Sequence, residues 1–184
     1  MGVGGLNLRA PNRSDGPALQ GLVARCQPLD LNSVYLYLLL AEHFSGTCIV
    51  ADHEGSLLGM VSAYRPPARA DALFVWQVAV DPQARRRRLG LRMLQALMAR
   101  PHLADVRWIE TTVGPGNQAS RRLFAKLAAH LGALMDEEPL FGETAFGGAG
   151  HDAEPLLRMG PLDLRAAQVP RTMNRRTHHG LENL

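Results

Sequence analysis

Residues 73–98 read LFVWQVAVDPQARRRRLGLRMLQALM, and the rest of the predicted fold is organised around them. Its first eight residues carry no charge and are rich in β-branched and aromatic side chains, which predicts a central strand buried on both faces. Asp81-Pro82 ends the strand. Four arginines follow, and from Leu91 the apolar residues recur at helical spacing. A strand, a tight turn and a helix in this order direct backbone N–H groups and the positive end of a helix at an anion. The stretch therefore predicts a phosphate-binding site.

The alternation of predicted elements indicates an α/β fold. A strand at 6–9 precedes helices at 19–26 and 33–43, and apolar runs at 47–52 and 57–64 flank the hairpin signal His53-Glu-Gly-Ser. After the central strand and its helix we expect a strand at 106–113, a helix at 119–131, and closing strands at 133–135 and 156–159. The order βα(α)ββ–β–α–β–α–ββ predicts a mixed central sheet flanked by helices.

Length and composition predict one folded domain with a short tail. The chain has 184 residues, of which 46% are hydrophobic and 20% charged, as in ordinary globular proteins. We assign the domain to residues 1–164 and a disordered basic tail to 165–184, which contains little periodic apolar sequence. The tail holds four of the 20 basic side chains and one of the 17 acidic ones, so the domain is formally neutral. We therefore expect no nucleic-acid binding by the domain.

The same sequence argues against a membrane protein and against a metal site. No apolar run is long enough for a membrane span, and the N-terminus lacks the features of a signal peptide. Cys26 and Cys48 have no further Cys or His at metal-ligand spacing, so we expect buried free thiols and no metal. These observations favour a cytoplasmic protein.

Two motifs resemble the GCN5-related N-acetyltransferases. Arg85-x-x-Arg88-x-Gly90 at the start of a helix is similar to the coenzyme A loop of that family, and Asn117-Gln-Ala-Ser-Arg-Arg-Leu-Phe124 is similar to the second half of its acetyl-CoA site. The resemblance implies the family's acyl-CoA N-acyltransferase fold, in which the central sheet splays apart to admit acetyl-CoA. It also implies a cofactor site formed by Val78, Val80, Arg85, Arg86, Arg87, Arg88, Leu89, Gly90, Asn117 and Phe124.

This chain departs from the family loop at two positions. The family usually has glycine where Arg86 and Arg88 stand, because glycine permits positive φ and a close approach of phosphate to the backbone. An arginine there either avoids a left-handed backbone or incurs a cost of about 1 kcal/mol. Its guanidinium can offset that cost by pairing with phosphate. A protein that binds acyl-CoA weakly and acts as a regulatory module is therefore a second hypothesis.

The resemblance is closest to one branch of the family, the diaminobutyrate acetyltransferases of ectoine biosynthesis. Four strings match it in the same order, at residues 28–52, 73–82, 109–124 and 146–162. The branch implies L-2,4-diaminobutyrate as substrate and a homodimer as the assembly. It implies substrate binding by Asp30, Trp76 and Glu110, and catalytic roles for Glu110, Tyr35 and His151.

From the residues alone, these side chains have simpler explanations, which stay open. Asp30 can be a loop or capping residue, Tyr35 an amphipathic helix residue, Trp76 a core residue, Glu110 a surface residue of an edge strand, and His151 an exposed loop residue. Phe124 stands where many relatives have a tyrosine that protonates the leaving thiolate, and phenylalanine has no proton to donate. A transferase of the same fold for another small amine, such as a polyamine or an amino sugar, is a further alternative.

Overall fold

One seven-stranded sheet organises the protein in the computed structural model, which describes residues 5–147 and 152–164. The strands run β1 (Leu6–Arg9), β2 (Ile49–His53), β3 (Ser56–Tyr64), β4 (Ala72–Val80), β5 (Trp108–Thr112), β6 (Leu134–Phe141) and β7 (Glu154–Gly160). The helices are α1 (Gly16–Ala24), α2 (Val34–His43), α3 (Leu89–Met98) and α4 (Gln118–Leu131). This chain order confirms the prediction from the sequence.

The sheet is mixed, as predicted. Its strand order is β1-β2-β3-β4-β5-β7-β6, with β4 in the centre. Neighbouring strands are antiparallel except β4 and β5, which run parallel. Helix α3 connects these two strands, as a parallel pair requires.

Each face of the sheet has its own core. Residues of α3 and α4, such as Met93, Leu94 and Leu127, are fully buried on one face against Ile109. Residues of α1 and α2, including Leu22, pack on the other face against β2, β3 and β4. Of the described helices, α1 and α2 therefore cover this second face over only the first half of the sheet.

Strand β4 is central, but the expectation that both its faces are fully buried is wrong at Trp76. Ser62 pairs with Gln77 and Ala63 with Val75, so Trp76 is an extra residue on β4, a β-bulge. The bulge turns the Trp76 side chain outward and leaves it 41% exposed. A bulge depends on register with a neighbouring strand, which an apolar run does not reveal.

Several predicted boundaries shift in the structure. Helix α3 begins at Leu89, two residues before the first apolar repeat, and the last two strands are longer than expected. Strand β6 extends to Phe141 although all its residues are exposed and it carries three consecutive acidic side chains. An edge strand pairs on one side only, so β6 needs no alternating apolar pattern and tolerates Pro139.

Three further predictions from the sequence concern the two cysteines, membrane spans and the C-terminal tail. Cys26 and Cys48 are buried free thiols, as predicted. Within residues 5–147 and 152–164, no helix combines the length and the apolar character needed to cross a bilayer. The tail predicted at 165–184 lies outside the described residues.

Candidate active site

The arginine-rich loop joins the end of β4 to the start of α3. Asp81 accepts a hydrogen bond from the Gln83 N–H at 3.0 Å and caps a short 3-10 turn at Pro82–Ala84. The four arginines 85–88 follow it and are all exposed. The first capping hydrogen bond of α3 runs from the Arg92 N–H to the Arg88 carbonyl, so the N–H groups at the helix start lack intrahelical acceptors. Free N–H groups, exposed cations and a helix N-terminus are the features of an anion site, so the loop is a candidate for one.

Arg86 and Arg88 both adopt the left-handed conformation, with φ values of 63° and 57°. Of the two possibilities set by the sequence, the structure therefore has the costly one. Positive φ turns successive N–H groups of a loop toward one point, which is the backbone shape that glycine provides in related loops. The loop keeps that shape at the expense of two non-glycine residues in a region that costs about 1 kcal/mol or more each.

An opening between β4 and β5 lies next to this loop. The two strands pair only from Ala72 to Phe74, opposite Trp108 to Glu110, and then separate. The Asp81 N–H donates to the Leu58 carbonyl on β3. Because backbone groups of an antiparallel strand alternate in direction, Val78 and Val80 direct theirs away from β3. The Val80 carbonyl accepts hydrogen bonds from Cys26 Sγ and Arg85 Nε, both at 3.3 Å. The structure thus has the splayed sheet that the resemblance implied, with backbone donors and acceptors along it.

The other proposed cofactor residues have clear structural roles of their own. Asn117 caps α4 by accepting a hydrogen bond from the Ser120 N–H at 3.1 Å. Phe124 is 3% exposed and belongs to the core under α4. A Cβ at Gly90 would lie 3.4 Å from Leu123 and 3.5 Å from Val78, which is ordinary van der Waals contact. Gly90 therefore lies where α3 meets both β4 and α4, with room for a methyl group.

Glu110 is fully buried at the point where β4 and β5 separate. Its Oε1 accepts a hydrogen bond from Arg69 Nη1 at 2.6 Å and lies 3.3 Å from Arg158 Nε. Its Oε2 is buried and has no hydrogen-bond partner among the described residues. A surface position on an edge strand is thus wrong for Glu110, since β5 is an interior strand. An unpaired buried carboxylate oxygen is costly and requires an explanation.

Burial raises the pKa of Glu110 above the ordinary value for a glutamate. Arg69 and Arg158 act in the opposite direction, since a nearby cation favours the carboxylate, but they do not outweigh the loss of solvent. Asp71 and Glu138 add smaller effects that raise it further. A carboxylate with a raised pKa is a better proton acceptor than an exposed one, which suits a general base.

Asp30 lies in an exposed loop that is tied to the bulge of β4. The side chain of Gln77, the residue after Trp76, donates a hydrogen bond to the Asp30 carbonyl at 3.0 Å. Gln77 is itself 6% exposed. The structure therefore brings the Asp30 loop, Trp76 and Glu110 to successive positions along one short segment of β4.

Tyr35, one of the predicted catalytic residues, is not part of this arrangement. Tyr35 lies in the first turn of α2 with its side chain 68% exposed. This position agrees with the simpler explanation of Tyr35 as a residue on the surface of an amphipathic helix. His151 lies outside the described residues.

Sequence reasoning missed the side chains that contact Glu110. Arg69 belongs to the connector between β3 and β4, and Arg158 faces Glu110 in the register of β5 and β7. The Arg158 guanidinium also lies 4.1 Å from the centre of the Trp108 ring. One signal was present: a glutamate in an otherwise buried strand needs a cationic partner. Nothing in the sequence indicated which of the 20 basic residues it would be.

A family model described as the acetyltransferase (GNAT) family matches residues 17–129. This range includes the loop, the opening and the Asn117 cap. The chain also has the fold of the ribosomal-protein-alanine N-acetyltransferase of Brucella melitensis, with a TM-score of 0.63 at 20% identity, over 85% of this chain and 99% of that one. Within the described residues, no group of three or more His, Cys, Asp or Glu side chains is arranged to hold a metal ion.

Closer relatives share one name. The L-2,4-diaminobutyric acid acetyltransferase of Bordetella parapertussis is 56% identical over 157 residues, which cover 85% of this chain and 84% of that protein. The enzyme of the same name from Halomonas elongata is 44% identical, over 85% of this chain and 82% of that protein. The diaminobutyrate acetyltransferase EctA from Paenibacillus lautus, solved in complex with its substrate L-2,4-diaminobutyric acid and coenzyme A, is 41% identical and superposes with a TM-score of 0.81 over 85% of this chain and 95% of that one. The chain therefore belongs to the GNAT acetyltransferase family and, within it, to the L-2,4-diaminobutyric acid acetyltransferases.

Proposed function

We propose that this protein transfers the acetyl group of acetyl-CoA to the 4-amino group of L-2,4-diaminobutyrate, forming N4-acetyl-L-2,4-diaminobutyrate for ectoine biosynthesis. The observation that carries the proposal is the likeness to the Paenibacillus lautus enzyme, whose structure contains this substrate and coenzyme A. The chain also has the parts that the reaction requires. These are an anion loop, an opening between two strands and a buried carboxylate beside that opening.

Acetyl-CoA, as co-substrate, supplies the activated acetyl group. We propose that residues 85–90 bind its phosphates through loop N–H groups and guanidiniums, while Val78 and Val80 meet its amide-bearing arm through their backbone groups. Asn117 and Phe124 complete the site. The left-handed backbone at Arg86 and Arg88 supports this assignment, since such strain persists where a binding site uses it.

The reaction requires a neutral amine, although an alkyl ammonium has a pKa of about 10. We propose that Glu110 accepts the ammonium proton, directly or through water. The amine nitrogen then forms a bond with the acetyl carbonyl carbon and the carbon–sulfur bond breaks. The nitrogen releases its surplus proton, and the thiolate takes up that proton directly or through water. We propose that the Val78 N–H stabilises the oxyanion of the tetrahedral intermediate.

The other proposed site residues hold the substrate. The Asp30 carboxylate attracts an ammonium group, and Trp76 offers an aromatic face beside a cation. Tyr35 and His151 supply hydrogen-bonding groups and complete the catalytic set. The link from Gln77 to the Asp30 loop supports grouping Asp30 with Trp76.

We also propose a homodimer and a cytoplasmic location. Leu134, Leu140 and Phe141 on the edge strand β6 are between 45% and 75% exposed, and large apolar groups on one edge suit a contact with a second copy. Light scattering after size exclusion would measure the mass of the assembly, and a monomer would contradict the dimer. The two free thiols suit a reducing compartment.

Mass spectrometry of reaction products tests the activity. The full-length protein is mixed with acetyl-CoA and, in separate reactions, with 2,4-diaminobutyrate, ornithine, lysine, spermidine and glucosamine. We expect efficient acetylation of 2,4-diaminobutyrate at nitrogen 4. Preferred turnover of a polyamine or an amino sugar would replace the proposed substrate, and absence of turnover with calorimetrically weak acetyl-CoA binding would favour a regulatory module.

A further inference from the structure

The two arginines beside Glu110 have more N–H donors than the Glu110 carboxylate accepts hydrogen bonds from. Arg69 donates one hydrogen bond to Glu110, and Arg158 approaches it only through Nε, whose geometry does not complete a hydrogen bond. Within residues 5–147 and 152–164, the outer nitrogens of Arg158 have no acceptor. Two guanidiniums thus share one carboxylate, and among the described residues the nearby acids Asp71 and Glu138 form no ion pair with either of them within 4.0 Å. An incompletely paired cation beside a fully buried acid indicates a site for an anionic group.

Arg158 is held in a fixed direction. Its backbone lies in β7 between β5 and β6, its guanidinium is 4.1 Å from the Trp108 ring centre, and Glu110 is its register partner on β5. On the other side, its register partner Asp136 is exposed and forms no ion pair with it within 4.0 Å, both being described residues. The side chain is 30% exposed, so a ligand can reach it. A planar fork fixed in this way suits a carboxylate.

The position of Arg158 matches the length of the proposed substrate. Glu110 pairs with Phe74 on β4 and with Arg158 on β7, so the three residues form a row across the sheet. Strands β4 and β7 flank β5, and their backbones are therefore about 10 Å apart. The arginine side chain and a four-carbon amino acid together fill this distance, with the far end of the amino acid beside the bulge at Trp76.

We propose that Arg158, assisted by Arg69, binds the α-carboxylate of the substrate, and that Glu110 Oε2 accepts a hydrogen bond from an ammonium group of the same molecule. This inference rests on the proposed function, because it identifies the residues that bind the α-carboxylate of that substrate. A diamino acid has this carboxylate and a polyamine lacks it. It makes Arg158 the residue that determines selection of an amino acid over a plain diamine.

A pair of substrates tests this assignment. Replacing the carboxylate of 2,4-diaminobutyrate by hydrogen gives 1,3-diaminopropane, which keeps both amines and their spacing. The ratio of kcat/KM for the two amines is measured for the wild type, Arg158→Met, Arg158→Lys and Arg69→Met. Arg107→Met serves as the matched control, since Arg107 is an exposed arginine next to β5. The ratio does not depend on the active fraction of a preparation, so partial unfolding does not alter it.

We expect the wild type to prefer 2,4-diaminobutyrate and Arg158→Met to reduce that preference by about 10- to 100-fold, as for loss of a charge-assisted contact. Arg158→Lys should retain part of the preference, Arg69→Met should lose less than Arg158→Met, and Arg107→Met should change nothing. If Arg158→Met is inactive with both amines, calorimetric titration of the wild type and the folded variant with each amine, in the presence of coenzyme A, gives the ratio of the two affinities, and the same loss of preference is expected there.

Two results would overturn the assignment. One is a wild type that turns over 2,4-diaminobutyrate and 1,3-diaminopropane equally well, and the other is an unchanged ratio in Arg158→Met. Failure of the proposed function is a separate outcome, because the wild type would then acetylate neither amine or would prefer a polyamine or an amino sugar to both.

Discussion

Replacing Arg88 by glycine should stabilise the protein, although glycine substitutions usually destabilise. Arg88 has a φ of 57° and stands at the N-cap of α3, where its side chain makes no capping hydrogen bond. Glycine would relieve a left-handed backbone that costs about 1–2 kcal/mol. It would add chain freedom to the unfolded state, which costs about 0.4–1 kcal/mol. The free energy of unfolding should therefore rise by about 0.5–1 kcal/mol.

Arg87 provides the matched control for this experiment. It is exposed like Arg88 and carries the same charge, but it is not among the residues with positive φ. Arg87→Gly should therefore lower the free energy of unfolding by about 0.5–1 kcal/mol. The two glycine variants should differ by about 1.5 kcal/mol, or by about 3–6 °C in Tm for a chain of this size. Calorimetric melting of wild type and both variants measures the difference.

The same variants separate backbone from side-chain binding of acetyl-CoA. Both lose one positive charge, so a difference in affinity between them reflects the loop backbone. We expect Arg88→Gly to bind acetyl-CoA at least as tightly as the wild type, and more tightly than Arg87→Gly, by isothermal titration. Equal losses of Tm in both variants would refute the strain argument. Loss of acetyl-CoA binding in Arg88→Gly alone would show that its guanidinium, and not the loop backbone, holds the phosphate.

Three further predictions concern the substrate. Glu110→Gln should lower kcat and flatten the acidic limb of the pH–rate profile, because activity falls as the pH drops through the raised pKa of Glu110. The surface variant Glu137→Gln should leave the profile unchanged. An unchanged acidic limb in Glu110→Gln would make Glu110 a binding residue only. Asp30→Asn should raise the KM for 2,4-diaminobutyrate with little effect on acetyl-CoA affinity. Gln77→Met should have the same effect, because it removes the hydrogen bond to the Asp30 loop. A change mainly in kcat in steady-state assays would contradict this. The kcat/KM for ornithine and for lysine should be lower than that for 2,4-diaminobutyrate by on the order of a hundredfold or more, since their terminal amines lie further from the carboxylate. Comparable kcat/KM values for the three amino acids would indicate a broad amine acetyltransferase.

Local signals made most of the fold predictable. The charge-free run that ends at Asp81-Pro82 located the central strand, Ser33 and Asn117 marked helix starts that the structure confirms, and His53-Glu-Gly-Ser marked a hairpin. Glu54 and Gly55 in that turn have positive φ, as tight hairpins require. Each of these features depends on residues close together in the chain. Strand β6 was predicted only at its start, because its pairing with β7, and not its own composition, makes residues 136–141 a strand.

The candidate site was predictable only in part, because its acid and its cations come from distant parts of the chain. Arg69 and Arg158 are 41 and 48 positions from Glu110 and meet it only through the strand order β4-β5-β7. The resemblance to a family supplied Glu110 without its surroundings. Those surroundings decide its chemistry: burial raises its pKa, while two guanidiniums keep a charged carboxylate tolerable in the interior. The same guanidiniums have further N–H donors that can bind a ligand carboxylate. The arginines that stabilise the buried Glu110 carboxylate therefore also provide a means to recognise an amino acid.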